Sequence, residues 1–191
     1  MAQADRWTPA EGARALSGRF GHAQALELLI KLLAGVPPME MLEGDYAAVL
    51  AHIGNGHAKQ VLARWRGDPL APRLDHWPRS WAARAMAYLG DRAAAPALSE
   101  ALRDEHWRVR MTAASSLGRL DVRDFETGLR AALTDPHQRV RRAAAAALGR
   151  VGTEASKQAL QRALDDDDRE VRAEADKALS VIRARSRSEP T

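Results

Sequence analysis

A chain of 191 residues that is 46% apolar, only 5% aromatic and free of cysteine must fill its core with Ala, Leu and Val, and it excludes disulfides, thiol catalysis, zinc fingers and iron–sulfur clusters. Its 29 basic and 25 acidic residues leave a charge of +4, a modest surplus carried by Arg far more than Lys, which favours bidentate pairing and interfaces. No apolar run approaches a membrane span, and the first thirty residues carry acids, Pro and Gly where a signal peptide needs a continuous apolar stretch, so a cytoplasmic protein is expected.

In chain order, an apolar residue followed by a small one recurs: Phe20-Gly21, Ile53-Gly54, Leu89-Gly90, Leu117-Gly118, Leu148-Gly149 and Leu179-Ser180. The intervals are 33, 36, 28, 31 and 31 residues, the period of a helical repeat in which each unit buries its apolar face against its neighbours. Leu16 and Phe20 lead into Gly21 and a helix over 22–34. Val49 and Ile53 precede Gly54, and Val61, Leu62 and Trp65 form the apolar face of a following helix.

The register then breaks. Asp68 is followed by a proline-rich insertion, Pro69 to Pro78, and the next helix is expected to begin around Trp81, a core residue in the place of a stripe Val. Insertions in repeats map to surface loops, which often carry function, while a simple change of curvature between two repeats explains the insertion equally well.

Three copies downstream align without gaps. Val109, Ala113 and Leu117, then Val140, Ala144 and Leu148, then Val171, Ala175 and Leu179 each mark one helical stripe. Asp104, Asp135 and Asp166 stand just ahead as N-caps or first-turn anions, and the Gly after each Leu is expected to end its helix in a left-handed turn. A second helix follows each: Ala94, Leu98, Ala101 and Leu102; Phe125, Leu129, Ala132 and Leu133; Ser156, Leu160, Ala163 and Leu164.

This Asp…Val-Arg…Ala-Ala…Leu-Gly unit resembles HEAT-like repeats of the phycobilisome-lyase type over residues 75–183. The resemblance implies an all-α, right-handed α-solenoid of about five helix pairs. A last, lone helix over roughly 168–183 has no partner in the sequence; Glu174, Asp176 and Lys177 either cap that edge or the edge is a homodimer contact. Residues 1–183 thus form one repeat domain, and 184–191 read as a disordered basic tail.

Two aromatics fall at polar register positions. With Arg79 and Arg108, Trp77 and Trp107 make an aromatic and Arg patch of the kind that dominates interfaces, or else the two rings pack on each other to close the gap left by the insertion. On the second helices, which line the concave side in the family resembled, Arg103, Glu126, Arg130 and Lys157 are outward and complete the candidate partner-binding set.

Catalysis finds little support. Repeats of this type also resemble a di-iron peptidyl hydroxylase and bilin lyases, but the hydroxylase needs His-Glu pairs within the first helices, and Val109–Leu117 and Val140–Leu148 hold neither residue. His106 and His137 are repeat-equivalent and read as polar first-turn residues, since neighbouring helices lie about 10 Å apart, too far for one metal. The Asp165–Asp168 run lacks the ligand spacing of a calcium loop and reads as a cap.

A basic solenoid can also track phosphates, and a DNA-glycosylase family uses a similar fold. Yet the outward positions of the second helices form no basic stripe, and Arg108, Arg110, Arg139, Arg141, Arg142 and Arg172 lie beside Asp104, Asp135, Asp166 and Asp168, which an Asp–Arg ladder between repeats explains. The expected function is a non-catalytic adaptor that binds a protein partner, as a monomer or a homodimer, with no cofactor and no metal. Nucleic-acid binding, supported by Arg183, Arg185 and Arg187, is the alternative, and a bilin-lyase-like enzyme subunit the third reading.

Overall fold

A computed structural model describes residues 8–54, 58, 60–64, 74 and 76–188. These residues contain eleven α-helices, four short 3-10 turns and no strand. Most of the inserted loop, the Asn55-Gly56 turn and Trp65 lie outside the described residues. The chain divides into two compact units, Met1–Ala97 and Leu98–Thr191.

The first unit contains α1 (Pro9–Phe20), α2 (His22–Gly35), the short α3 (Pro38–Met41), α4 (Gly44–Ile53) and α5 (His76–Leu89). Thr8 opens α1 with a capping box: its hydroxyl accepts from the Glu11 N–H at 3.3 Å while Glu11 accepts from the Thr8 N–H at 2.7 Å, and Pro9 stands where no helix hydrogen bond is lost. Helix α2 packs most extensively on α5, and α1 touches α2, α4 and α5. Leu16, Leu29, Leu32, Leu50 and Met86 are fully buried there, and Trp81 is in the core as expected.

Helix α5 begins at His76, earlier than Trp81, because Pro78 falls within the first turn, where proline is tolerated. The end of the expected loop is therefore helical.

The second unit repeats with a 31-residue period. Its first-position helices are α7 (Trp107–Leu120), α9 (Gln138–Val151) and α11 (Arg169–Ser188), with α7 packed on α9 and α9 on α11. Between them run α8 (Glu126–Ala132), which packs on α9, and α10 (Lys157–Arg162), which packs on α11. Helix α6 (Ala95–Ala101) spans the junction of the two units.

Gly118 and Gly149 do not end their helices, contrary to expectation. Helix α7 runs on to Leu120, where Asp121 takes the left-handed conformation (φ 52°), and α9 runs on to Val151. These glycines are packing notches: a Cβ on Gly118 would lie 2.8 Å from the Ala147 Cα, and one on Gly149 3.3 Å from the Ala178 Cα. The small residue lets neighbouring helices approach backbone to backbone.

The aspartates ahead of the stripes are not the helix caps either. Asp104 and Asp135 accept from the backbone N–H two residues on, at 2.8 Å each, and the caps are His106 and His137, whose Nδ1 atoms accept from the Arg108 and Arg139 N–H groups at 3.2 Å. In the third copy Asp168 fills that place and accepts from Glu170 and Val171. Asp135 and Asp166 instead bind the preceding repeat. Arg110 grips Asp135 through Nε (2.6 Å) and Nη2 (2.9 Å), and Arg141 grips Asp166 at 2.7 and 2.8 Å. Each Nη1 donates to backbone carbonyls of its own repeat, Asp104 and Glu105 in one case, Asp135 and Pro136 in the other. These are the rungs of the expected ladder.

The last helix continues to Ser188, so residues 184–188, expected in a disordered tail, are helical. Arg185 explains the extension: its guanidinium donates to the carbonyls of Gly152 (2.7 Å), Gly149 and Arg150, binding the C-terminal end of α9, where a cation is favoured. Ser186 adds hydrogen bonds to Ile182 and Glu154.

Candidate functional site

The start of α7 carries Trp107, half-buried between two imidazoles. Its ring stacks on His137 with centroids 4.0 Å apart and planes 11° apart, and on His106 at 5.8 Å. The guanidinium of Arg108 lies 4.5 Å from the ring centroid and that of Arg139 5.4 Å, both within cation–π range. The 31-residue period produces this stack, because it sets the cap of α9 beside the first residue of α7.

Arg139 also lines an open groove of about 680 Å³ over α7, α9 and α11. Met111, Ala143 and Ala146 form its apolar floor, Arg142 and Glu170 pair across it, and Glu174 and Arg169 stand on the α11 side. Three arginines, Arg139, Arg142 and Arg169, meet three acids, Asp168, Glu170 and Glu174, so the groove has no single sign of charge. Its small floor residues leave room for a side chain or a helix from outside, and its rim offers both donors and acceptors.

The residues expected at the site belong to both units. Trp107 and Arg108 come together as described, whereas Trp77 belongs to the first unit, with its own ring partners His76 (5.1 Å) and Trp81 (5.9 Å). Arg79 is buried at 8% exposure on α5, which corrects the expectation that it shares an exposed patch. Glu126, expected to face outward, is buried as well. It accepts from the Thr153 N–H (3.0 Å), the Thr153 hydroxyl and the Ser156 hydroxyl, so it braces one repeat against the next. Burial pushes its carboxyl up, but the bonds from Ser156 and Thr153 outweigh it and hold the group below the usual range.

Arg130 donates to the Ala155 carbonyl at 3.1 Å and to Thr127, Lys157 pairs with Glu154 at 2.7 Å, and only Arg103, at 82% side-chain exposure with a loose 3.7 Å contact to Glu100, is a plainly solvent-facing member of the set. His137, expected as a polar first-turn residue, and Arg139, expected in the ladder, stand beside Trp107 instead. Their signal was present in the repeated His-x-Arg at 106–108 and 137–139 with a Trp inserted in the first copy.

Among the described residues, no group of three His, Cys, Asp or Glu side chains is placed to hold a metal ion, and no helix is long and apolar enough to cross a membrane. The family profile described as HEAT repeats matches residues 68–128 and 125–180. Human deoxyhypusine hydroxylase in complex with glycerol is similar in structure, with a TM-score of 0.52 at 24% identity over 92% of this chain and 79% of that one. Two engineered proteins are similar too: one at TM-score 0.50 and 23% identity over 92% of this chain and 86% of its own, the other at 0.51 and 22% over 90% and 50%. At such identities the likeness concerns the fold alone. No curated protein matches the sequence.

Proposed function

We propose that this chain, which belongs to the HEAT-repeat family, is a non-catalytic cytoplasmic adaptor whose second unit docks a protein partner on the Trp107 edge and the adjoining groove. The observation that carries this reading is Trp107 itself: a half-buried indole held in a fixed orientation by His106 and His137 and flanked by Arg108 and Arg139, the last of which also lines the groove with Met111 and two alanines. Trp and Arg are the residues that most often dominate interface energetics, and an indole already ordered loses little freedom on binding. The balanced rim charge fits a protein surface better than a run of phosphates, which calls for a one-signed track. The engagement of Arg110 and Arg141 with aspartates, and of Arg185 with carbonyls, removes much of the basic surface a polyanion would need. The finer likeness to the phycobilisome-lyase type of repeat rests on the repeat unit alone, and no pigment-handling residue accompanies it.

Affinity capture from lysate with and without nuclease, using the full chain and its Trp107→Ala variant, tests this reading. The expected result is a nuclease-resistant protein partner retained by the parent and lost from the variant, with helical content unchanged. Capture that vanishes with nuclease, or that Trp107→Ala leaves intact, contradicts it.

A further inference from the structure

Three arginines adopt one pose at a spacing of 31 residues, and two of them are complete. Arg110, Arg141 and Arg172 each send Nη1 to two carbonyls of the preceding turn, in the last case Asp166 (2.7 Å) and Asp167 (3.0 Å). The remaining edge of Arg110 and of Arg141, Nε with Nη2, holds the carboxylate of the aspartate that leads the next repeat. Arg172 is oriented in the same way by its two carbonyls, and no carboxylate of the described residues pairs with that edge.

A second observation agrees at a different helix. Leu102 and Leu133 close their helices at 8% and 6% exposure, Leu102 lying against Gly128 of the following repeat, whereas the equivalent Leu164 is 36% exposed. A third concerns the first-position helices. Ala114 and Ala145 are fully buried on the side that faces the next repeat, and in α11 that position is the exposed Asp176. The edge formed by α10 and α11 is thus a repeat interface with its charged rung open, a leucine uncovered and one polar residue in place of an alanine.

We propose that this edge is a second docking surface, distinct from the Trp107 groove, and that its occupant is a segment of a partner protein in which an aspartate leads an amphipathic helix. The aspartate takes the fork of Arg172 as Asp135 and Asp166 take those of Arg110 and Arg141; the following apolar face covers Leu164; and a basic residue about two helical turns after the aspartate meets Asp176. Charge complementarity specifies this occupant, because a planar guanidinium already fixed by two carbonyls presents two parallel donors, and a carboxylate is the group that matches both. Asp176 keeps this edge polar where its equivalents Ala114 and Ala145 are buried, and gives the occupant a second charge to match.

The probe is a synthetic peptide of residues 135–165, the chain's own aspartate-led helix pair, titrated against the full chain by fluorescence anisotropy. Saturable binding is expected, weakened at least tenfold by Asp135→Asn in the peptide or by Arg172→Ala in the chain, with the two changes together no worse than either alone. Arg172→Lys, which keeps the charge and loses the fork, should fall between, and its thermal melt should match the parent so that misfolding is excluded. Absence of saturable binding, or equal binding of the Asp135→Asn peptide, overturns the proposal. Self-association of the chain that Arg172→Ala abolishes overturns it too, by making a second copy the occupant.

Discussion

In both units large aliphatic side chains are fully buried, Leu16, Leu29, Leu32 and Leu50 in the first and Leu117, Leu129, Leu148 and Leu160 in the second, but in the second the helices α7, α9 and α11 also approach closely at Gly118 and Gly149 and are stapled at one end by Arg–Asp rungs. The Gly–Ala approaches bring backbones close but bury little apolar area each, and the rungs add directional polar bonds at that end of the second unit. In the first unit the polar links differ in kind from one another: His22 pairs with Asp91 at 2.9 Å, half-exposed on the histidine side, and Arg84 donates to the Ile53 carbonyl at 3.4 Å. A regular ladder and a regular period go together, because each rung requires its Arg and its Asp to recur in step.

The difference can be sharpened by substitutions, starting with the largest effect. Leu29→Ala in the first unit removes a fully buried side chain and should cost about 3–4 kcal/mol in a urea titration, as large-to-small changes in cores do. In the second unit, Arg110→Ala should cost about 2–3 kcal/mol, because it deletes a two-pronged charged pair at 14% and 8% side-chain exposure together with two carbonyl bonds. A double-mutant cycle with Asp135→Ala should show that most of this loss is shared between the two residues.

Gly118→Ala forces a Cβ to 2.8 Å from the Ala147 backbone and should destabilise by about 1–2 kcal/mol despite alanine's better helix propensity. Gly149→Ala, where the same contact is 3.3 Å, should lie within about 1 kcal/mol of neutral. If both glycines respond alike, the notch is not what selects them.

Acid provides a further discriminator. Bonds from Arg141 hold the Asp166 carboxyl down at about 2, and Asp135 is also lowered, burial opposing and the Arg110 bond prevailing. A carboxylate of depressed pKa stabilises the fold above its unfolded value of about 4 and loses that contribution as the pH falls toward the folded value. Urea midpoints should therefore decline between about pH 4 and pH 2, and Asp166→Asn should show a lower midpoint at pH 6 with a shallower decline.

Much of the second unit was legible because its period is strict. The stripes, the helix pairs and the Asp–Arg ladder all follow from residues recurring every 31 positions. What failed to read out was the reason for individual residues. A glycine after a leucine looks the same whether it is needed for a left-handed turn, as at Gly90 (φ 73°), or for a missing Cβ, as at Gly118, and only the neighbouring helix distinguishes them. Glu126 looked outward because its register position is polar, but Thr153 and Ser156 lie a full repeat away and no local pattern places them on its carboxylate. Arg185 looked like part of a basic tail since its acceptors are backbone carbonyls, which carry no sequence signature. The capping box at Thr8-Pro9-Ala10-Glu11, in contrast, was there to be read.

In the second unit we assign stability to the rungs and propose that the Trp107 edge with its groove supplies recognition. The measurement that tests it most directly is the affinity of the captured partner for two variants of the full chain, Arg139→Glu at the exposed groove rim and Arg110→Ala in the ladder, at a temperature where both are folded. The expected result is a loss of at least about tenfold for Arg139→Glu and a change of less than about threefold for Arg110→Ala. Equal affinity for Arg139→Glu and the parent, or a greater loss from the ladder variant, would contradict it.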